Sequence, residues 1–536
     1  MKKTYHIIMT IIGFVGITIS TTLLSSCLDE NSKDKLLEYK AYNTATNLYI
    51  NSVGNLYNYI GGNSNSQGIQ GTYRGVYDYN TFTTDEAILP TRGGDWYDGG
   101  FWQDLYMHKW TSTDKALLDT WNYLYKVIGL CNHSLAEIEY NKNLLNDSEY
   151  NEYTAEVKGM RAMFYFYIMD MFGNVPLSMK DGATLADMTQ ATRQEVASTI
   201  ISQLQEAATY LPDEHSNIQG KYYGKFTRPV AYFILAKMML NNEIYLGTGE
   251  HIFSIDGKQL NAWEACIYYC NMITKEGYSL EKNYADNFAV HNETSSENIF
   301  TIPMDKTLYS NQFWYLFRSR HYNHGSAIGM DAENGSCATL STVKTYGYGT
   351  DSIDSRYSIN FYSDTLRVDG KIVYLNNGDP LIYRPLEVAP DLTGSKYEKT
   401  GGARMSKYEI DRTAHADGKL QDNDIVLFRY SDVLLMIAEA KVRNGVDGTQ
   451  ELNMIRNRVG MNNRKATLQN ILDERLLELM WEGWRRNDMI RFGVFQNAYD
   501  QRQQVDNEDS KFTYLFPIPQ AVLDMNNKLK QNIGYK

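Results

Sequence analysis

The segment 153–171, YTAEVKGMRAMFYFYIMDM, determines the fold class that we predict for this chain of 536 residues. Its apolar residues recur every three to four positions, at Val157, Phe164, Ile168 and Met171. This spacing is the helical period and places the four side chains on one face. The following stretch, 173–176, reads GNVP, and its glycine and proline end the helix. Arg161 lies on the apolar face, where a guanidinium needs a partner, so we expect it in a structural ion pair.

Helical patterns continue on both sides of this segment. Thr227 is placed to cap a helix that has Pro229 in its first turn and ends at Gly247, and residues 262–275 form another helix before a Glu-Gly turn. Such patterns cover about 36–277 and return over about 426–536. We predict a mainly α fold in which antiparallel helix pairs bury their faces against one another.

The region from about 278 to 425 has a different texture, rich in Gly, Asn, Asp, Ser and Tyr. Residues 366–374, LRVDGKIVY, alternate and carry an Asp-Gly turn signal, so they predict a β-hairpin that turns at Asp369-Gly370. We expect this region to be made of loops and small strands held by the helical scaffold. Loops held in this way are where binding residues tend to collect.

The N-terminus has the pattern of a lipoprotein leader. After Lys3 no Asp, Glu, Lys or Arg occurs until Asp29, and residues 7–24 are apolar with interspersed Thr, Ser and Gly. A secretory signal peptide and a membrane anchor both show this pattern. Residues 24–27, LSSC, look like a bacterial lipobox, so we predict a signal peptide over 1–26 and a lipid anchor on Cys27. A plain secretory leader with an unrelated cysteine is the alternative.

Composition excludes several classes of protein. The 52 basic and 64 acidic residues give a net charge of −12, and no Lys/Arg-rich run occurs, which opposes nucleic-acid binding. The 42 tyrosines, against 19 Phe and 8 Trp, favour a surface that binds by stacking and hydrogen bonding together. The four cysteines other than Cys27 do not form a disulfide framework.

The segment 84–102, TDEAILPTRGGDWYDGGFW, contains the first candidate binding site. Pairs of glycines flank an aromatic pair that has a carboxylate on each side. A pyranose presents a flat C–H face that packs on an aromatic ring, while carboxylates accept hydrogen bonds from its hydroxyls. We therefore predict that Asp95, Trp96, Tyr97 and Asp98 bind sugar. The alternative is that Trp96 only fixes the loop onto the helices.

The second candidate site follows residue 310 and combines aromatic with cationic side chains. Its predicted ligand-binding residues are Trp314, Tyr315, Arg318, Arg320 and Tyr322. This set suits a carbohydrate and would tolerate an acidic sugar, although Trp314 is equally compatible with a core position. His321 and His324 are a weak metal signal without a third ligand, so we predict no metal and no cofactor. We expect Trp96 and Trp314 to share one ligand surface.

Six segments together resemble the SusD/RagB-like outer-membrane lipoproteins of Bacteroidetes. They are 155–177, 224–228, 428–440, 481–493, 516–519 and 531–535, in the order expected for that family. The resemblance implies a single SusD-like domain over 27–536, with tetratricopeptide-like helix pairs and an irregular ligand-facing half. In the family, aromatic residues on the loop that matches 91–102 contact the glycan.

The same resemblance implies a function at the cell surface. It implies non-catalytic capture of glycans, or of peptides in some members, and delivery to a SusC-like TonB-dependent transporter. Asp29 and Glu30, which follow Cys27, are similar to the surface-export signals of this group. We therefore expect the chain to be lipid-anchored on the outer face of the outer membrane.

The charged residues of the signature segments carry a structural prediction. Glu474, Glu478 and Glu482 recur every four residues before Arg485 and Arg486, a spacing that makes ion pairs within and between helices. We predict the same role for Arg429, Asp432 and Glu439.

A surface glycoside hydrolase is the catalytic alternative. The acidic residues from 85 to 104 are numerous enough for a glycosidase pair. The chain has none of the Gly-x-Ser-x-Gly, Walker, His-Glu-x-x-His or dinucleotide-binding motifs. Together with the resemblance to a binding family, this favours binding without catalysis. A structural or adhesive surface protein would share the leader but would not respond to a glycan.

Overall fold

The computed structural model describes residues 42–62, 66–70, 74–309, 314–415, 417, 419–507 and 510–535. The predicted signal peptide and Cys27 lie outside the described residues. Helices dominate the described part of the chain, which confirms the predicted mainly α fold. They are α1 Ala45–Leu48, α2 Asn55–Gly61, α3 Val76–Thr81, α4 Phe101–Tyr106, α5 Lys115–Tyr140, α6 Asp147–Phe172, α7 Arg193–Ala208, α8 Arg228–Leu240, α9 Asn242–Tyr245, α10 Ala262–Lys275, α11 Trp314–Ser319, α12 Tyr322–Ile328, α13 Leu340–Thr345, α14 Tyr357–Asn360, α15 Tyr430–Arg443, α16 Thr449–Arg458, α17 Leu468–Leu479, α18 Arg485–Arg491 and α19 Gln520–Met525.

The described strands are short and occur as seven antiparallel pairs. They are β1 Ala87–Ile88, β2 Val175–Pro176, β3 Gln190–Ala191, β4 Ile252–Ile255, β5 Lys258–Asn261, β6 Asn298–Ile302, β7 Cys337–Ala338, β8 Phe361–Tyr362, β9 Asp364–Thr365, β10 Arg367–Val368, β11 Lys371–Ile372, β12 Ile382–Tyr383, β13 Arg404–Met405 and β14 Ile425–Arg429. The pairs are β1 with β7, β2 with β3, β4 with β5, β6 with β14, β8 with β13, β9 with β12 and β10 with β11.

Helix α6 is the segment predicted from the 153–171 pattern. Asn146 and Glu149 form a capping box at its start, and Gly173, at φ 72°, follows its last residue. Its second half is buried on all sides: every residue from 155 to 172 except Lys158 is buried. Helices α5 and α7 both pack against α6. Two packing partners explain why buried residues cover more of the helix surface than the single face that the periodicity predicts.

Two local predictions in the helical half need correction. Arg161 is buried, but it donates to the side chains of Gln203 and Asn132 at 2.7–3.0 Å rather than to a carboxylate. Amide oxygens thus satisfy its hydrogen bonds, and burial lowers the pKa of its guanidinium. Helix α8 has Pro229 in its first turn as predicted, but Thr227 makes no side-chain capping bond. The helix ends at Leu240, and α9 continues the path to Tyr245.

The longer helices pack in a continuous series. Helix α5 contacts α6, α6 contacts α7, α7 contacts α8, α8 contacts α10, α10 contacts α15, and α15 contacts α16 and α17. One contiguous cluster of buried apolar side chains extends from Val53 to Leu529 and includes residues of the loop-rich region. The loops therefore rest on the same core as the helices.

The loop-rich region contains the predicted hairpin. Strands β10 and β11 pair with Val368 opposite Lys371, and Asp369 and Gly370 adopt φ of 50° and 77° at the turn. These are the positive angles that a two-residue hairpin turn requires. Strand β1 pairs with β7, placing Ile88 opposite Cys337, so the segment that holds the first candidate site is fixed to the loop-rich region.

The predicted structural role of the signature charges is confirmed. Glu478 contacts Arg356, Arg429 and Arg458, and all four side chains are nearly or fully buried. Glu474 pairs with Arg356 and Arg456, and Glu482 pairs with Arg429 and Lys407. Asp432 pairs with Arg475 and Lys237, while Glu439 pairs with Arg491 and Arg443. These pairs link α15, α16, α17 and α18 to the loop-rich region.

None of the helices in the described ranges is both long and apolar enough to span a bilayer.

Candidate functional site

The loop 91–100 has an unusual backbone. Trp96 and Asp98 adopt φ of 64° and 45°, angles that are uncommon for residues other than glycine, and Gly93, Gly99 and Gly100 also have positive φ. Arg92, beneath the loop, is fully buried and donates to the backbone oxygens of Gly335, Glu398 and Gly401. A strained loop held by a buried arginine is a feature that functional sites often show.

Trp96 is packed along one side and partly exposed. Its indole Nε1 donates to the backbone oxygen of Glu333 at 2.8 Å, and its ring meets Trp102 edge to face at a centroid distance of 6.1 Å. A Cβ added to Gly335 would lie 2.9 Å from the indole, so only glycine allows the ring to rest on this backbone. Trp96 therefore fixes the loop in place, as the alternative interpretation predicts, and also keeps part of its ring accessible to a ligand.

Tyr97 and Tyr322 are the exposed residues among the aromatic side chains that the structure describes in the two predicted segments. Their exposed fractions are 57% and 43%, respectively. The Tyr322 hydroxyl donates to Asp95 Oδ2 at 2.8 Å, so the structure brings the 91–100 loop and helix α12 together. Burial and this hydrogen bond raise the pKa of Tyr322 to about 12, so the hydroxyl keeps its proton at neutral pH.

Asp95 also binds a cation that sequence reasoning missed. Lys399 Nζ lies 3.0 Å from Asp95 Oδ2 and donates to the backbone oxygen of Arg92 at 2.7 Å. Partial burial opposes ionisation, but the hydrogen bonds from Tyr322 and Lys399 lower the pKa of the Asp95 carboxyl. Because 304 residues separate Asp95 from Lys399, no local pattern could connect them.

Asp98 is engaged on the other side of the loop. Its carboxylate accepts from Trp102 Nε1 at 2.7 Å and lies 2.9 Å from Arg74 Nη2. Trp102 itself is buried and packs against Phe82 and Phe101. Asp98 therefore holds the loop to α4 while remaining close to Tyr97 in the chain.

The burial of Arg318 and Arg320 contradicts the prediction that their side chains contact a ligand. Arg318 forms two hydrogen bonds to the buried Asp78, at 2.8 and 3.1 Å, and stacks over Phe82 and Trp102. The side chain of Arg320 has no exposed surface. Neither guanidinium reaches the surface, so neither is retained as a ligand-binding residue. Their cationic character in the sequence gave no sign of burial, because Asp78 lies 240 residues from Arg318.

Trp314 and Tyr315 begin helix α11, but their side chains lie outside the described residues. The expectation that Trp96 and Trp314 share a ligand surface thus remains a prediction. The two histidines of this segment have structural contacts: His321 caps α12 through Asn323, and His324 Nδ1 lies 3.1 Å from the Tyr383 hydroxyl. Burial lowers the pKa of His321 to about 4, so it is neutral at physiological pH.

A further exposed ring lies beside α12. Tyr374 is 53% exposed, and its backbone oxygen accepts from Asn323 Nδ2, which also donates to Asn376 Oδ1. Tyr374 ends the predicted hairpin segment, but nothing in the sequence placed that hairpin beside residue 323. We call the set Asp95, Trp96, Tyr97, Tyr322, Tyr374 and Lys399 the aromatic surface. It offers ring faces, a carboxylate and an ammonium group to a ligand with many hydroxyls.

Comparisons with known proteins identify relatives over most of the chain. The starch-binding protein SusD of Bacteroides thetaiotaomicron is 23% identical over 512 residues, covering 88% of this chain and 87% of SusD. The SusD-like protein P25 of Formosa agariphila is also 23% identical, covering 78% of this chain and 80% of its own length.

Solved structures show the same fold. A SusD-like protein of Bacteroides fragilis superposes with a TM-score of 0.70 at 20% identity, covering 95% of this chain and 99% of its own. Surface glycan-binding protein A of Bacteroides thetaiotaomicron, in complex with laminarihexaose, gives 0.66 at 19% identity, covering 85% and 93%. A laminarin-binding SusD-like protein gives 0.68 at 19% identity, covering 94% and 100%.

Two family models divide the chain between them. A model described as "Starch-binding associating with outer membrane" matches residues 39–240. The SusD family model matches residues 269–535, and the two matches together show that the chain belongs to the SusD family.

Proposed function

We propose that this protein is a cell-surface lipoprotein that captures a glycan on the aromatic surface and delivers it to a SusC-like TonB-dependent transporter. The observation that carries the proposal is the position of two exposed rings: Tyr97 lies two residues after Asp95 in the loop, and the Tyr322 hydroxyl donates to Asp95. Rings of this kind pack against the flat faces of sugars, and the adjacent carboxylate and ammonium can bind hydroxyls. Relatives named for starch and laminarin binding support a glycan as the ligand class.

Binding without catalysis fits the state of the two loop carboxylates. Asp95 is bound by Lys399 and Tyr322, and Asp98 by Arg74 and Trp102. A glycosidase needs one carboxylate free to act as nucleophile or base and a second that donates a proton. We expect that incubation with a bound polysaccharide releases no new reducing ends. Release that Asp95→Asn abolishes would favour the hydrolase alternative.

The direct test is a binding panel on the purified protein. Affinity gels and calorimetry with starch, laminarin and a wider set of polysaccharides should identify at least one ligand. Tyr97→Ala should then weaken binding by about 5- to 150-fold, since truncating a central aromatic contact typically costs about 1–3 kcal/mol. Tyr210→Ala is a matched control, because Tyr210 is 51% exposed but lies outside the aromatic surface. Equal effects of the two substitutions would contradict the proposed site.

If the peptide alternative applies, the same panel should fail with every glycan, while peptides bind and depend on Tyr97. Such a result would keep the aromatic surface but change the ligand class.

The lipid anchor and the transporter are tested separately from the ligand. Cys27→Ala should abolish incorporation of labelled palmitate and release the protein from membranes. Protease added to intact cells should digest the wild-type protein, because we place it on the outer face. Purification from detergent-solubilised outer membranes should recover a large TonB-dependent transporter. Retention of label in the variant would contradict the lipid anchor, and resistance to external protease would contradict the outer-face location. A protein that always purifies alone would contradict the transporter partner.

A further inference from the structure

A cavity lies apart from the aromatic surface, between helix α2, the turn at residues 223–225 and strand β6. Its volume is about 250 Å³, and it shares no lining residue with the aromatic surface. Its principal lining side chains are Tyr49, Tyr57, Asn58, Tyr223, Lys225 and Tyr309. A cavity of this size is below the range of about 300–1,000 Å³ that encloses a drug-sized ligand, so it suits a single ring.

Three of the four tyrosine hydroxyls of the cavity lining are engaged behind the walls. Tyr49 and Tyr57 both donate to the buried carboxylate of Glu156, and Tyr223 donates to Asp424 at 2.7–2.8 Å. Because the hydroxyls are fixed in this way, the three rings are held in place with apolar surface along the cavity. The walls thus provide rigid packing surfaces with few free hydrogen-bond donors.

Lys225 supplies a donor that Tyr49, Tyr57 and Tyr223 do not. Its Nζ lies 4.4 Å from the centroid of the Tyr49 ring and 5.6 Å from that of Tyr222. It is only partly buried, and its ammonium makes no hydrogen bond or ion pair with the described part of the chain. The neighbouring Lys221, by contrast, donates to the Tyr222 hydroxyl at 2.8 Å. An ammonium positioned over an aromatic wall with its N–H groups unused favours a ligand that carries an anionic acceptor.

We propose that this tyrosine cavity is a second binding site, which takes one acidic sugar ring, a uronic acid residue, with its carboxylate on Lys225. The ring would pack against the tyrosine faces, and the exposed Asn58 side chain at the rim is available to its hydroxyls. The site is independent of the proposed function of the aromatic surface, because a protein that bound no neutral polysaccharide could still bind here. A glycan that mixes neutral and acidic residues would engage both sites.

The test compares two small probes that differ only in the acidic group. Methyl β-D-glucuronide should bind the purified protein saturably in a ligand-observed NMR titration. Methyl β-D-glucoside should bind about tenfold more weakly, because only the glucuronide brings a carboxylate of opposite charge to the ammonium. Lys225→Met keeps the aliphatic stem but removes the ammonium, so it should abolish the preference. Lys221→Met is the matched control and should leave the preference intact.

A second variant tests the packing wall. Tyr309 is 41% exposed, so Tyr309→Ala should fold normally, as thermal melting can verify, and should weaken both probes. Equal affinity of the two probes for the wild-type protein, no saturable binding of the glucuronide, or equal effects of the two lysine substitutions would overturn the proposal. So would tighter, competing binding of 3-phenylpropionate, which would assign the cavity to an aromatic side chain of a peptide. Neutral polysaccharide binding reports only on the aromatic surface, so failure of one site is distinguishable from failure of the other.

Discussion

Glu478 in helix α17 and Asp95 in the 91–100 loop are both carboxylates bound to cations, but their surroundings differ. Glu478 is fully buried among three arginines, whereas the Asp95 side chain is 38% exposed and binds one lysine and one tyrosine. Burial acts against ionisation, but the arginines hold the pKa of Glu478 well below its usual range. Removing one member of the buried cluster leaves the charges of its partners uncompensated and out of reach of water. At the surface, water can replace a lost partner. The buried cluster can thus tolerate little change, whereas the exposed aromatic surface can vary with the ligand.

The largest expected effect is therefore in the buried cluster. Glu478→Gln leaves Arg356, Arg429 and Arg458 with reduced compensation, so it should lower the free energy of unfolding by about 3–5 kcal/mol. Denaturant unfolding measures this loss. Glu139→Gln, at an exposed pair with Lys142, is the control and should leave stability unchanged. A Glu478→Gln protein as stable as the control would show that the cluster is dispensable.

The second prediction concerns a buried carboxyl in the helical half that lacks such compensation. Burial raises the pKa of Glu156 from 4.5 to about 7, even though Lys225 and two tyrosine hydroxyls oppose the shift. The folded state keeps this proton to a higher pH than the unfolded state. Its contribution to stability is therefore complete below about pH 4.5 and is lost as pH rises through about 7.

Glu156→Gln should remove that component of the pH dependence. Between pH 4.5 and 8, the stability difference between the wild-type protein and the variant should change by at most about 3 kcal/mol, with the wild type losing more. Chemical unfolding at a series of pH values checks the sign. The opposite slope would mean that Glu156 is stabilised as a carboxylate in the folded protein, as Glu478 is.

The third prediction separates the two roles of Trp96. Because its ring packs on Gly335 and Trp102 but remains partly exposed, Trp96→Ala should reduce both glycan affinity and folding stability, each by about 1–3 kcal/mol. Calorimetry with the cognate glycan and denaturant unfolding measure the two quantities. Unchanged affinity with a stability loss of about 3–5 kcal/mol would assign Trp96 to the core alone. Unchanged stability with lost affinity would make it a ligand contact only.

The sequence predicts the local elements of the molecule but not the contacts between segments that are distant in the chain. Helix α6 and the hairpin at Asp369-Gly370 follow from periodicity and turn chemistry, which are local. The spacing of the glutamates predicts their structural role but not their partners, since Arg356 lies 122 residues from Glu478. The aromatic surface depends on Asp95 meeting Tyr322 and Lys399, which lie 227 and 304 residues away in the chain. The sequence hides the burial of Arg318 for the same reason, because its partner Asp78 is 240 residues distant. Local patterns therefore identified candidate side chains in the loops but could not decide which of them were buried.

The smallest expected effect concerns the Tyr322 hydroxyl, and it tests whether the aromatic surface binds mainly through its rings. Tyr322→Phe keeps the exposed ring but removes the donor to Asp95, which retains Lys399. A hydrogen bond to a charged group contributes about 1.5–3 kcal/mol, but this one joins two protein groups at an exposed site where water can replace it, so we expect glycan affinity to fall by less than about fivefold. Tyr322→Ala should cost more, because it also removes the stacking surface. Calorimetry on both variants at one pH makes the comparison. If Tyr322→Phe weakened binding as much as Tyr322→Ala, the main contribution of Tyr322 to affinity would be that its hydroxyl orients Asp95. Asp95 would then resemble Glu478, because both carboxylates would depend on a fixed set of partners.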